Sequence, residues 1–526
     1  MIRSLLLSAL FLLVSAFANA QHISWMQTVP VNNTFNGSMV GHRASIGGNH
    51  LYVSRFLNYI TSYSPDLLGD YMIDQYDVQG NLIWSVPLSG KLAVHAMEAD
   101  ASGNVYIGGT YLETIYIGAN DSLTNANGGL WENYFLISLD ANGTMRYKRN
   151  LNLTYPQIQN ISAIKVDQNS SVWYAMQLSL RHVFIKTGAI GNDVDSVHIN
   201  NSRLCESFSF DGSGNMYISG STEQGTMNVN GTNVNVPETY MMFLTRLNTS
   251  GVCTWTRLGH DITFQSPHVQ ALSNGDVYFG GSLLDSTQWG SFNFPNPLFN
   301  ANFFLTRVDS TGNFLWGKSV PSAAMPLGRF ALADGNYFDA DPNDNIYITG
   351  NTYGTIDWGN GVIITGGQTK NQCILSFDPS GVARWGITGG ASAMNFVKDI
   401  CVAGVDSGFL SANVSDTTAF DSIVSNQGLG QALMLAQFAA GTSTGVGALS
   451  TGDTRVYPNP FSTQIIISSD ENAIATLLNI SGAEILGTQI ECGPSQIKIP
   501  ETTAPGIYVL KIESAGKVSR YVLVKN

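Results

Sequence analysis

Charge is scarce in this chain of 526 residues: only 12% are Asp, Glu, Lys or Arg, about half the roughly 25% of an average globular protein. Positive charge is the scarcer sign, 25 Lys+Arg against 38 Asp+Glu for a net of −13, and no basic run occurs. That argues against nucleic-acid binding, which needs clustered Lys and Arg to displace counterions. Cysteine is rare. Cys205, Cys253, Cys373, Cys401 and Cys492 are odd in number, far apart and without C-x-x-C spacing, so neither a disulfide framework nor a zinc site is expected; most read as buried free thiols. The eight histidines (His22, His42, His50, His95, His182, His198, His260 and His268) show no H-E-x-x-H or other close pairing. Neither metal nor cofactor is expected. Beyond the first twenty residues no apolar run is long enough to span a bilayer, so no transmembrane segment is expected. What is abundant is apolar residues (44%), aromatics (10%) and 54 glycines, enough for a packed, β-rich body and too many for disorder.

The N-terminus reads as an export signal. Arg3 precedes an apolar run from Leu5 to Phe17 that ends in Ala18-Asn19-Ala20, the small-x-small pattern of signal cleavage, leaving Gln21 first. The run is short for a membrane anchor and has no polybasic flank.

A repeat of about sixty residues organises the body. One phrase recurs as GNHLYVS (48–54), GNVYIGG (103–109), SSVWYAM (170–176), GNMYISG (214–220), GDVYFGG (275–281), DNIYITG (344–350) and SGFLSA (407–412). Its aromatic anchors are Tyr52, Tyr106, Trp173, Tyr217, Tyr278, Tyr347 and Phe409. A second phrase joins an apolar strand to an Asp/Asn-x-x-Gly turn with an aromatic four residues past the glycine, as in DVQGNLIW, NTSGVCTW, DSTGNFLW and DPSGVARW; its tryptophans are Trp84, Trp255, Trp316 and Trp385. Two residues after each anchor, on the same face of the strand, stands a small residue: Ser54, Gly108, Ala175, Ser219, Gly280, Thr349 or Ser411. The opposite face is apolar as well, so both faces must be covered, and small residues beside a large aromatic admit a neighbouring sheet closely. Blades packed face to face around an axis meet both needs; β-helix coils are shorter than sixty residues and immunoglobulin-like units longer.

A seven-bladed β-propeller is therefore expected over residues 21–440, which gives 60 residues per blade. The seventh repeat ends at LMLAQF (433–438) without a Trp phrase, while an unassigned Trp strand, ISWMQTV (23–29), opens the mature chain. Trp25 is expected to complete the last blade and close the ring. The third repeat is the weak one, and six or eight blades stay open at this point. These phrases resemble the bacterial SBBP propeller repeats, in which GN-x-Y-x-x-G and D-x-x-G-x-x-x-W recur. The resemblance implies a fold and no particular function.

Residues 441–453 are small, Gly/Ser/Thr-rich and read as a linker. From 454 to 526 the pattern changes to short alternating strands with turn glycines, which suggests a small β-sandwich. The segment Tyr457-Pro458-Asn459-Pro460, the turn around Gly482, Pro505-Gly506-Ile507-Tyr508 and the terminal strand with Lys525 resemble the type A C-terminal sorting domain of the Bacteroidetes type IX secretion system. The resemblance implies recognition of 454–526 by the type IX machinery, periplasmic transit, and a mature protein that is secreted or attached to the outer-membrane surface. The alternative is an accessory sandwich with no sorting role.

Catalytic signatures are sparse. Gly441-Thr442-Ser443-Thr444-Gly445 has the form G-x-S-x-G but lies in the linker, without the strand and helix a nucleophile elbow needs. The turn residues Asp77, Asp140, Asn248, Asp309 and Asp378 recur once per repeat, as turn-builders do, whereas catalytic carboxylates would be singular. No D-x-D-x-D-G run supports calcium. Asp-Ser/Thr triplets at Asp121, Asp195, Asp285, Asp309, Asp416 and Asp421 are similar to O-glycosylation acceptors of exported Bacteroidetes proteins. The leading expectation is a non-catalytic adhesion, scaffold or binding module for an extracellular glycan or protein. Its contacts are expected on the inserts TQWGSFNFPNPLFN (287–300) and 111–131. The alternatives are a polysaccharide hydrolase or lyase with paired carboxylates at the propeller funnel, and a purely structural surface-layer or motility cargo.

Overall fold

The computed structural model describes residues 21–30, 43–63, 66–151, 158–260, 267–296, 301–324, 327–391, 396–420, 423–440, 455–457, 461–469, 471–479, 483–500, 502–514 and 517–525. The expected cleavage residues Ala18 and Ala20, the linker 441–453, and Pro458, Asn459, Pro460 and Gly482 lie outside them. Strands and turns make up the described chain, apart from one 3-10 turn at Ser322–Ala324, so the protein is all-β. Proximity divides it into one unit of Ile23–Ala439 and a second that holds Ala440–Asn526.

In the first unit the repeats form antiparallel modules. The fourth is the plainest: Ser202–Phe210, Met216–Thr222, Met241–Leu247 and Cys253–His260 pair in that order. Its second strand is buried at every residue because apolar side chains on one face alternate with small or aromatic ones on the other. His268–Ala271, Val277–Leu283, Asn302–Val308 and Phe314–Lys318 repeat the plan in the fifth module. Modules one and two share a nine-stranded sheet, because the 18-residue strand Leu82–Ala99 is the outer strand of one and the inner strand of the next. Modules six and seven share another, through Ala383–Ala391 pairing with Ser407–Phe420.

Each sheet is open, but the innermost strands touch in cyclic order. These are Arg43–Gly47, the second half of Leu82–Ala99, Ile158–Val166, Ser202–Phe210, His268–Ala271, Phe338–Ala340 and Phe396–Gly404, and the last touches the first. Polar side chains staple every step. Arg43 Nε donates to the His95 carbonyl at 2.7 Å, and Ser45 Oγ accepts from the Ala99 amide. Lys165 pairs with Glu98 at 3.3 Å, and Ser162 Oγ donates to the Cys205 carbonyl at 2.8 Å. Ser207 and Ser209 accept from the amides of Val269 and Ala271, both at 3.0 Å. Tyr337 Oη accepts from the His268 amide and donates to the Gly280 carbonyl. Asp339 accepts from the Val402 amide, and Asp399 accepts from the amides of Asn336 and Ala44, the last joining module seven to module one.

Further out, a second contact repeats. In each Asp/Asn-x-x-Gly turn the first side chain caps backbone donors: Asp77 Oδ1 accepts from the amides of Gln79 and Asn81 at 2.9 and 2.8 Å. Bonds from Asn81 hold the Asp77 carboxyl below the usual carboxylate range. At four of the turns, those of Asp77, Asp140, Asp309 and Asp378, the preceding module's tryptophan lies on the turn glycine, and its indole N–H donates to the carbonyl of the turn's second residue. Trp84 reaches Ala141, Trp255 reaches Ser310 and Trp316 reaches Pro379, at 3.0, 3.0 and 2.9 Å. A Cβ on Gly143 (φ 78°) or Gly381 (φ 81°) would fall 3.0 or 2.9 Å from the seated ring, so glycine is required there by space as well as by φ. Trp25 does the same from the N-terminal strand Gln21–Pro30: its indole donates to Val78 at 3.0 Å, over Gly80. That strand pairs with Ile423–Ala440, the outermost strand of module seven, and Thr28 and Ser425 share a 2.8 Å hydroxyl bond. The Trp25 ring lies 5.9 Å from that of Phe409.

The C-terminal unit has a three-stranded sheet (Arg455–Tyr457, Gln464–Ser469, Gly493–Lys498) and a four-stranded sheet (Ala473–Asn479, Glu484–Ile490, Gly506–Ser514, Lys517–Lys525). Both contribute to one core, with Phe461, Ile465, Ile467, Leu477, Leu510 and Leu523 among its buried residues.

The seated indole sets a graded expectation. Trp316→Ala should lower unfolding free energy by about 2–4 kcal/mol, less than a full core loss because the ring is partly exposed, and Trp316→Phe by about 1 kcal/mol, the net worth of one hydrogen bond. Urea unfolding followed by circular dichroism measures both. Equal, negligible losses would show that the turn does not depend on the ring.

Candidate functional site

The inner strands surround a cavity of about 370 Å³ with residues from all seven in its wall. Its position in the repeat is regular. Glu98, Lys165, Ser209, Gln270 and Asp339 each stand two residues before the first residue of the turn (Asp100, Asp167, Asp211, Leu272, Asp341) that leads into the next strand. Strand alternation points this position away from the strand's other face, into the cavity. The fold therefore presents one variable side chain per module to a common space.

Charges of both signs meet there. Burial pushes the Glu98 carboxyl up, with Lys165 opposing. Burial would lower Lys165, but the charges of Glu98 and Asp339 outweigh it and hold the ammonium above its ordinary value. Asp339 is pushed up to about 6 by burial, which the amides of Val402 and Ala340 offset only in part. Asp399 is raised chiefly by burial, against Arg43 and the amides of Asn336 and Ala44. His268 is brought down to about 3 by burial, with Lys165 and Arg43 adding to the effect; its ring stacks on Tyr337 at 4.1 Å. Burial and nearby carboxylates push the Cys401 thiol well up, so it is protonated and a poor nucleophile.

Two of the carboxylates are already in use. Asp339 accepts amide bonds at both oxygens, from Ala340 and Val402 at 2.8 Å each. Asp399 does so from Asn336 at 2.6 Å and Ala44 at 3.0 Å. Glu98 and Lys165, about a quarter exposed each, face the cavity as an ion pair. Among the described residues no group of three or more His, Cys, Asp or Glu side chains is arranged to hold a metal ion.

The repeat aromatics lie elsewhere. Tyr52, Tyr106, Tyr217, Tyr278, Tyr347, Phe409 and Trp173 are buried between modules, and several reach across: Tyr52 Oη donates to the Gly103 carbonyl at 2.7 Å and Tyr217 Oη to that of Gly275 at 2.6 Å. Trp385 donates to Asp406 at 3.0 Å. In the C-terminal unit Tyr508 is buried, its hydroxyl on the Ala504 carbonyl, and Gly506 opens the strand Gly506–Ser514. The inserts differ from expectation in part. Trp289 and Phe294 of the 287–300 insert are 1% and 2% exposed, packed on Phe279 and Phe304, so they complete the fifth module's core and offer nothing to a partner. Leu130 and Trp131 of the other insert are exposed at 72% and 60%. The cavity charges are hard to read in the sequence because they differ from module to module; the signal is their fixed offset from an earlier turn, Asp-x-x-Gly at Asp100 and Asp211 and Asp-x-x-Asp at Asp341, whose first residue stands three residues before the recurring phrase.

Residues 455–526 match the secretion system C-terminal sorting domain. This places the chain among exported proteins: it travels to the cell surface or is secreted, and its tail is of the kind the type IX machinery recognises. Among curated proteins none matches. Solved structures to which the chain is similar include a protein of unknown function from Bacteroides thetaiotaomicron (10% identity, 80% of this chain and 98% of that one, TM-score 0.33). Others are PorZ, a surface component of the type IX secretion system of Porphyromonas gingivalis (10%, 95% and 100%, 0.19), and a mutant of the GH43 protein BlXynB from Bacillus licheniformis (9%, 95% and 91%, 0.26). Likeness at these scores carries neither a fold assignment nor a function to this chain. No helix of the described residues is long and apolar enough to cross a membrane.

Buried imidazoles give the protein an acid-sensitive stability. His182, fully buried with Nδ1 on Ser202, is lowered to about 3 by burial, like His268. Between about pH 6.5 and 3 the unfolded chain binds protons that these folded histidines refuse, so stability falls as pH drops through that window. Asp339 opposes, since its folded carboxyl keeps a proton up to about pH 6. In His182→Asn the stability difference between pH 7 and pH 4 should shrink by about 1–3 kcal/mol. Urea titrations at the two pH values decide; an unchanged difference would mean that His182 is not held neutral.

Proposed function

We propose that residues 21–440 form a seven-bladed β-propeller that binds an extracellular glycan or protein in its central channel, exported by the type IX sorting domain at 454–526 after removal of the signal 1–20. The cyclic order of the inner strands and the return of the N-terminal strand to module seven support seven blades. The observation that carries the binding reading is the use of both oxygens of Asp339 and of Asp399 on backbone amides. Carboxylates so engaged hold strands together and are poorly placed to shuttle protons. The groups that face a ligand are the Glu98–Lys165 pair and Gln270, suited to hydroxyls or amides that accept and donate together. In a glycan array and pull-down with the mature chain, a ligand is expected for the wild type. Glu98→Gln with Lys165→Met should weaken it at least about tenfold, some 1.4 kcal/mol, with the β fold retained by circular dichroism. Capture of nothing, or indifference to the double variant, would count against the channel.

One observation favours a second reading, a polysaccharide hydrolase or lyase. Acids and a base do converge on the funnel, and Asp339 at about 6 is tuned as a general acid would be. On that reading the mature chain cleaves an extracellular polysaccharide, the rate falls as pH rises past about 6 because the acid must be protonated, and Asp339→Asn lowers kcat by about 100-fold or more. Reducing-end release over a polysaccharide panel measures it, and absence of any cleavage leaves the binding reading.

A further inference from the structure

The third module breaks the outer contact, and a cavity stands where the contact is missing. Six Asp/Asn/Gly-x-x-Gly turns close the module ends, at Asp77, Asp140, Gly188, Asn248, Asp309 and Asp378. Five of their glycines carry an aromatic ring from the preceding module: Trp25 on Gly80, Trp84 on Gly143, Tyr147 on Gly191, Trp255 on Gly312 and Trp316 on Gly381. At the sixth, Gly251, no ring lies: the Asn230 amide stands there instead, 3.0 Å from where a Cβ would be, and donates to the Gly251 carbonyl at 2.8 Å. The side chain that ought to fill this seat is Asp195. It lies seven residues after the turn's first residue, Gly188, and pairs with Lys186 after a one-residue bulge. Trp255 pairs with Arg246, Trp316 with Arg307 and Tyr147 with Ser138 in the same register after the same bulge.

The space left is about 400 Å³, within the range of small-molecule pockets. Trp173, Phe210 and Thr249 are among its walls. At its floor the buried Asp167 takes the Trp173 indole N–H at 3.1 Å and the Lys186 ammonium at 3.2 Å. Lys186 is thereby neutralised. Asp195 is exposed and, among the described residues, accepts only from the adjacent Ser196 amide, so the walls carry one net negative charge.

We propose that this cavity binds an indole ring, which displaces the Asn230 amide from over Gly251 and turns its N–H toward the Thr249 carbonyl as the protein's own indoles sit in the neighbouring turns, and that Asp195 favours a ligand with a cationic arm. The proposal rests on the turn geometry and not on the central channel.

Isothermal titration calorimetry on the mature chain tests it with tryptamine, indole-3-acetate, the tripeptide Gly-Trp-Gly and glucose. Tryptamine should bind saturably and at least about tenfold more tightly than indole-3-acetate; the peptide arm tells a free indole from an indole side chain, and binding of either supports the seat. D195W should fill the seat with the protein's own ring, weaken tryptamine at least about tenfold and raise the melting temperature by about 1 °C or more. D195A should keep tryptamine but level its advantage over indole-3-acetate. Absence of saturable binding by every indole probe, undiminished binding in D195W, a preference that D195A leaves intact, or glucose binding as tightly as tryptamine would each overturn the proposal.

Discussion

The architecture of residues 23–439 depends on an aromatic ring lying on the next module's turn glycine with its N–H on that turn's carbonyl. A four-stranded sheet with two apolar faces is insoluble alone and must be covered twice. Backbone hydrogen bonds cannot do this: even where they join modules they run edge to edge and leave the faces bare. The seated ring fixes both separation and angle: the glycine sets how closely the ring approaches, the carbonyl sets its direction, and the Asx side chain holds the turn that presents them. Each such contact is worth a few kcal/mol at most, yet a module such as the fifth, which receives Trp255 and sends out Trp316, is held on two sides. Loss of one seat therefore strains two neighbours, which is how repeat arrays gain cooperativity from local interfaces.

The same contact explains the N-terminal strand. A ring of similar units has no natural place to join its ends, and pairing the strand Gln21–Pro30 with the last module supplies one. Trp25 lies far in sequence from the other strands of its sheet, yet it occupies the seat at Gly80 as Trp84 occupies the seat at Gly143. The closure is thus the ordinary module contact made by a segment from the opposite end of the chain.

What was legible in the sequence was what repeats. Tyr52, Trp84, Gly80 and Asp77 have counterparts at near-constant spacing because every interface poses the same steric problem. The charged channel was illegible for the opposite reason. Glu98, Lys165, Ser209, Gln270 and Asp339 occupy one equivalent position but mix acid, base, hydroxyl and amide, so no common residue marks it. Trp289 misled by composition: an aromatic in a long insert looks like a contact residue, yet Gly259 opposite it leaves space that only a large ring from the insert fills. The third repeat looked weak because Gly188 replaces the turn Asp and Asp195 the aromatic, while its backbone turn is intact.

Repetition also separates construction from use. A residue found at the same place in most modules answers a demand of the ring, and its chemistry is accounted for by nearby backbone: Asp77, Asp309 and Asp378 bond amides of their own turns. A residue that varies at an equivalent place is free of that demand. The channel wall varies in this way, but only partly, since Ser209, Asp339 and Asp399 have been taken back into construction as staples between strands. Burying a carboxylate in such a ring is costly unless backbone donors surround it, so a site assembled from inner strands uses much of its polarity to hold itself together. The Glu98–Lys165 pair meets that demand with a single salt bridge between modules two and three and leaves the rest of both side chains turned to the channel. It is there, rather than at the more perturbed Asp339, that the cavity wall is least committed to holding strands together.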